Sequence, residues 1–325
     1  LKYRMDDTLA SLYSISVEEL RPWHYQDRFV QAAPRIFDIN FDSYFADKDI
    51  IEIVKKYYAG IGLDVESIVS NSDLYEKPGK SQHAFTYDID RTGDVRVLAN
   101  VKPNHYWMKT MMYEFGFGSY LENISRDLPY LLRQPAHYFM NDGIGEMFNT
   151  FSSDSRWLKT YAGMPEEEAE QRREECRRYI RLFKFIFSRF SQVMYHFEKG
   201  MYENPDQDLN KLWWDLVEKY QLIKRPDNRD KPDWATKIHL FEQPCTYHNY
   251  MLGELFSSQV YAYIQENIVK HDEQFSFIEN PEIGDYLKTN LFAPGAKYSW
   301  KELVEKSTGE ELSAEFFKMQ FVSVK

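Results

Sequence analysis

Glu114 stands in the run Tyr113-Glu114-Phe115-Gly116-Phe117, a carboxylate beside two positions spaced four residues apart. In a helix that spacing puts positions 113 and 117 on one face. Zinc hydrolases of the His-Glu-x-x-His type fill these two positions with imidazoles, and the Glu between them acts as general base on the metal-bound water. Here the Glu is in place, and an aromatic ring stands where each imidazole would be.

Three further blocks carry residues of the same chemistry. Leu128-Pro129-Tyr130-Leu131-Leu132-Arg133 leads to Asn141-Asp142-Gly143-Ile144-Gly145-Glu146, with two carboxylates four residues apart. Downstream lie Lys237-Ile238-His239 and Tyr247-His248-Asn249-Tyr250. Together with residues 113–120 these blocks resemble the active-site segments of the angiotensin-converting-enzyme-like peptidyl-dipeptidases, which are gluzincin-type metallopeptidases. A more distant similarity reaches the thimet oligopeptidases. The resemblance runs from about Glu18 to Gln259.

That resemblance implies a helical zincin-like fold, a zinc cofactor and a role for each matched position. Asp142 falls where the family's second helix supplies a Glu ligand, and Glu146 where an acidic partner orients a ligating histidine. Lys237 and Tyr247 match the residues that grip the substrate's C-terminal carboxylate. His239 and Tyr250 match those that stabilise the tetrahedral intermediate. His83, next to a hairpin that borders the family's cleft, is a candidate contact to the substrate strand and a poor replacement ligand.

The metal positions depart from the pattern. Phe117 has no lone pair to donate. Tyr113 ligates only as a phenolate, against an ordinary pKa of about 10. Asp142 is one methylene shorter than Glu. With three ligand positions changed, the expectation is that zinc is lost and no cofactor takes its place.

Plainer readings stand beside these. Tyr113 and Phe117 serve as core residues filling the space of imidazoles and metal. Glu114 is a solvated or hydrogen-bonded relic, and burial with no metal nearby would raise its pKa. Asp142 and Glu146 pair with Lys237, Arg133 or a Tyr hydroxyl. His239 alone reads as a structural histidine, and the remaining histidines have no metal-like spacing.

The elements that must position these residues are mostly helical. Apolar spacing predicts helices over residues 44–59, 104–121, 137–153, 165–199, 208–220 and 250–268. The helix over 104–121 is apolar on most sides, as in a buried helix. Gly143 and Gly145 weaken the next helix, so close packing against a neighbour is the expected compensation. Residues 84–89 and 94–100 flank Asp90-Arg91-Thr92-Gly93 and read as an antiparallel hairpin. The fold class expected is mainly α with one small hairpin, in a single catalytic domain over residues 1–325. Two closely packed lobes would divide weakly near 224–232.

The chain has 325 residues, 43% hydrophobic and 17% aromatic, which suffices for a large core. Its net charge of −11 lacks the basic footprint of a nucleic-acid binder. No apolar run is long enough to cross a bilayer, and Leu1-Lys2-Tyr3-Arg4 does not open a signal peptide. Cys176 and Cys245 imply neither a disulfide framework nor a metal site. The expectation is therefore a soluble protein of open compartment, with neither nucleic acid nor membrane as partner. The chain starts at Leu1, not Met, so a fragment or processed form is one expectation, and the resemblance implies that most of the family fold's N-terminal half is absent from it.

The function expected is that of an inactive metallopeptidase homologue that binds a peptide or protein partner in its cleft. The alternatives are a working metallopeptidase, with Glu114, His239 and Tyr250 as its catalytic residues, and a purely structural scaffold.

Overall fold

The computed structural model describes residues 1–269 and 277–322. Its α-helices and strands, in chain order, are α1 (Lys2–Tyr13), α2 (Ile50–Gly60), α3 (Glu66–Asn71), β1 (Phe85–Asp88), β2 (Val95–Leu98), α4 (His105–Glu122) and α5 (Tyr138–Phe151). They are followed by α6 (Ser155–Trp157), α7 (Glu166–Glu203), α8 (Leu209–Leu216), α9 (His239–Glu242), α10 (His248–Tyr263), α11 (Pro281–Tyr286), α12 (Trp300–Thr308) and α13 (Glu315–Phe317). The fold is mainly α, and β1 and β2 form its two-stranded antiparallel sheet. Among the described residues no helix is long and apolar enough to cross a membrane.

The chain divides into two compact units, Leu1–Asp38 with Arg177–Met251, and Ile39–Cys176 with Leu252–Lys325. The boundaries fall inside α7 and α10 and beside Asp38, and the 224–232 stretch lies wholly within the first unit. The first unit packs α1 and the apolar face of α7 (Leu182, Ile186, Phe190, Val193, Phe197) around Trp213, Trp214 and Tyr247.

In the second unit α4 and α5 form an antiparallel pair. His105 at the start of α4 meets Ser153, just past the end of α5, while Phe117 meets Tyr138 at its beginning. Asn104 caps α4 by accepting from the Trp107 N–H at 2.9 Å. The helix is buried nearly all round, and its less buried stripe runs Tyr106, Thr110, Tyr113 and Phe117, a spacing of three to four residues.

The glycines of α5 lie where helices touch. A Cβ on Gly143 would stand 2.6 Å from the Gly253 carbonyl of α10. One on Gly145 would stand 2.7 Å from the Tyr113 ring of α4. Close packing is thus what compensates for two poor helix formers.

The helix expected from residue 44 begins instead at Ile50. Asp49 accepts from the N–H groups of Ile51 and Glu52 and so sets the start, while Phe41–Tyr44 forms a separate turn of 3₁₀ helix.

Candidate functional site

Glu114 points inward from α4 towards the hairpin. Thr86, the inward residue at the middle of β1, donates its hydroxyl proton to Glu114 Oε2 at 2.5 Å. Burial pushes the Glu114 carboxyl up to about 7, and the Thr86 bond opposes that rise. His83 lies exposed just ahead of β1.

Tyr113 and Phe117 are half-buried on the open stripe of α4, not sealed in the core. Their ring centroids are 6.2 Å apart, and Phe117 meets Tyr138 edge-on at 6.0 Å. The reason is their place on the helix. The fully buried faces of α4 are taken by Met108, Met111, Met112 and Phe115, which leaves positions 113 and 117 on the remaining stripe.

Tyr113 donates its hydroxyl proton to Asp142 Oδ1, so a Tyr hydroxyl is the partner that Asp142 takes. Asp142 is fully buried. Its carboxyl is held well above the usual carboxylate range by burial, then by the charge of Glu146, with Glu254 and Glu114 adding to the effect; the Tyr113 bond opposes them. Glu146 accepts from Asn149 Nδ2 at 2.9 Å. Arg133 donates to the Leu128 carbonyl at 2.9 Å. Among the described residues no three His, Cys, Asp or Glu side chains form a group able to hold a metal ion.

Lys237, His239, Tyr247 and Tyr250 come together in the other unit. The His239 ring lies 5.4 Å from Tyr247 and 6.0 Å from Tyr250, and those two tyrosines are 4.9 Å apart. The Lys237 ammonium is buried among the rings of Phe190, Phe29 and Tyr247 at 5.2, 5.4 and 5.4 Å. It donates to Gln31 Oε1 at 2.7 Å. Burial pulls its pKa down to about 8 against the opposing charge of Asp27.

Gln31 and Thr86 are the contacts that the sequence motifs do not contain. Gln31 precedes Lys237 by 206 residues. Its local signal is Asp27, whose carboxylate accepts from the N–H groups of Gln31 and Ala32 and shapes the turn that presents the amide. Thr86 is legible only as the inward position of a strand that alternates exposed and buried residues.

The fold is mainly helical, with Glu114 buried on a helix that packs against the hairpin and α5. The family model of angiotensin-converting enzyme, peptidase family M2, matches residues 38–323, and the chain belongs to that family. It is also similar to thermostable carboxypeptidase 1 of Pyrococcus furiosus, at 30% identity over 112 residues. That alignment covers 34% of this chain and 22% of the archaeal protein, so the chain spans well under two thirds of that relative's length.

Proposed function

We propose that this protein is a metallopeptidase homologue that has given up its zinc site and binds peptides without cleaving them. The observation that carries the reading is the bond from the Tyr113 hydroxyl to Asp142, with the Phe117 ring alongside. The residues at positions 113, 117 and 142 do not fit a zinc ion. Phe117 offers no donor atom, the Tyr113 hydroxyl is engaged with Asp142, and a single carboxylate is not a zinc site.

The peptide-binding half of the reading rests on Lys237. An ammonium has three donors, and Gln31 is its one hydrogen-bond acceptor among the described residues. A peptide's C-terminal carboxylate would complete the set with a charge-assisted bond, with Tyr247 beside it.

A residual hydrolase is the second reading, favoured by Glu114, whose carboxyl near 7 suits a general base. Among the described residues that reading has no group of three His, Cys, Asp or Glu side chains to hold the Lewis acid that would polarise the scissile carbonyl.

Two measurements test the proposal. Metal analysis of the wild type should find no stoichiometric zinc, and the triple variant Tyr113→His, Phe117→His, Asp142→Glu should acquire it. Calorimetry should detect peptides with a free C-terminal carboxylate and not their amides. Zinc in the wild type, with peptide hydrolysis abolished by Glu114→Gln, would overturn the reading in favour of a working enzyme.

A further inference from the structure

We infer that Tyr113 and Asp142 form a metal-free strut, a matched pair that ties α4 to α5 where an ion held by positions 113, 117 and 142 would tie the same two helices. The hydroxyl of one helix bonds directly to the carboxylate of the other. Gly145, three residues beyond Asp142 on α5, gives the ring its seat. A Cβ there would lie 2.7 Å from Tyr113 Cδ2 and 2.8 Å from Cε2. The ring therefore rests against the backbone of α5 at a distance that no other residue at position 145 permits.

The carboxylate is fitted from its far side too. A Cβ built on Gly253 of α10 would stand 3.1 Å from Asp142 Oδ2, so the carboxylate is held between the phenol on α4 and the backbone of α10. A longer Glu would have to displace the ring or the helix. The long phenol thus goes with the short carboxylate, and each substitution makes room for the other. Phe117, one helical turn along α4, braces the Tyr113 ring at 6.2 Å and is itself met edge-on by Tyr138.

The inference rests on the metal-free half of the functional reading and needs no bound peptide. Thermal unfolding of the whole chain tests it, using wild type, Tyr113→Phe, Asp142→Ala and the double variant, each with and without a strong chelator. The wild-type Tm should be the same in chelator and in added zinc. Tyr113→Phe should lower it by about 2–4 °C, the worth of one hydrogen bond in a unit of this size. In the Asp142→Ala background the same change should have a clearly smaller effect, because that partner is gone. If Asp142→Ala does not fold, Gly145→Ala replaces it, since the added Cβ unseats the ring and should likewise shrink the Tyr113→Phe effect.

Equal shifts in both backgrounds, or no shift in the wild type, would overturn the strut while leaving the functional reading in place. A wild-type Tm lowered by chelator, with zinc in the untreated protein, would overturn both.

Discussion

Thr86 on β1 and Glu114 on α4 are joined by a hydrogen bond of 2.5 Å that fastens the hairpin to a buried carboxyl. Because the folded carboxyl titrates at about 7 and the unfolded one near 4.5, the folded state holds the proton more tightly. The stability this gives is fully present below pH 4.5 and is lost as pH rises through 7. Denaturant midpoints measured from pH 5 to 8 should fall for the wild type and fall less for Glu114→Gln. The difference should be on the order of 3 kcal/mol across that window. Parallel curves for the two proteins would mean that Glu114 is not buried as described.

On the peptide-binding proposal, Lys237 makes affinity depend on pH. Its ammonium is charged below about 8 and neutral above it. Affinity for a peptide with a free C-terminal carboxylate should therefore be highest below pH 8 and decline above it. Lys237→Met should reduce affinity by roughly tenfold or more, as expected on losing a charge-assisted bond. Titration calorimetry at pH 7 and pH 9.5 reads both effects.

His105 sets an acid limit. It is buried against Phe41 at 4.5 Å and Phe45 at 5.9 Å, with Nε2 3.0 Å from the Ser153 hydroxyl. Burial, assisted by the charge of Lys109, holds its pKa well below the ordinary 6.5. The unfolded chain binds the proton more readily, so stability is present above pH 6.5 and is lost as pH falls below it. The loss should approach about 1.4 kcal/mol per pH unit. His105→Gln should flatten this acid limb in unfolding curves taken between pH 7 and pH 5.

The crossing of α5 and α10 admits no side chain. Alanine is the better helix former by about 1 kcal/mol, yet a Cβ on Gly143 would meet the Gly253 carbonyl at 2.6 Å, and one on Gly253 would meet the Gly143 nitrogen at 3.0 Å. Backbone cannot yield as a flexible side-chain tip can. Each Gly→Ala change should destabilise by roughly 1–3 kcal/mol. A gain in Tm would mean that the two helices stand further apart.

Much of this architecture is legible in sequence because it is written locally. A turn containing Gly93 between two runs of β-formers gives the hairpin, and apolar residues on most sides of residues 104–121 mark a buried helix. The two glycines of α5 announce close packing before any neighbour is known. What escaped was non-local or positional. Gln31 reaches Lys237 across most of the chain, with no motif to link them. Tyr113 and Phe117 read as core by residue type, and only the competition among the faces of α4 leaves them half-buried. Asp49 is an N-cap that looks, in apolar periodicity alone, like the interior of a longer helix. Asp142 had three candidate classes of partner, and the choice of the Tyr113 hydroxyl depended on a seat at Gly145 that residue types do not advertise.

The open stripe on α4 bears on how such a sequence changes over time. Positions 113 and 117 are among the few on this helix where a side chain can alter size and chemistry without displacing Met108, Met111, Met112 or Phe115 from the interior. A change at 113 must be matched by Asp142 and Gly145 on α5, whereas a change one residue to either side meets the interior itself. A helix built in this way can exchange the chemistry of its open stripe while the packing beneath that stripe is kept.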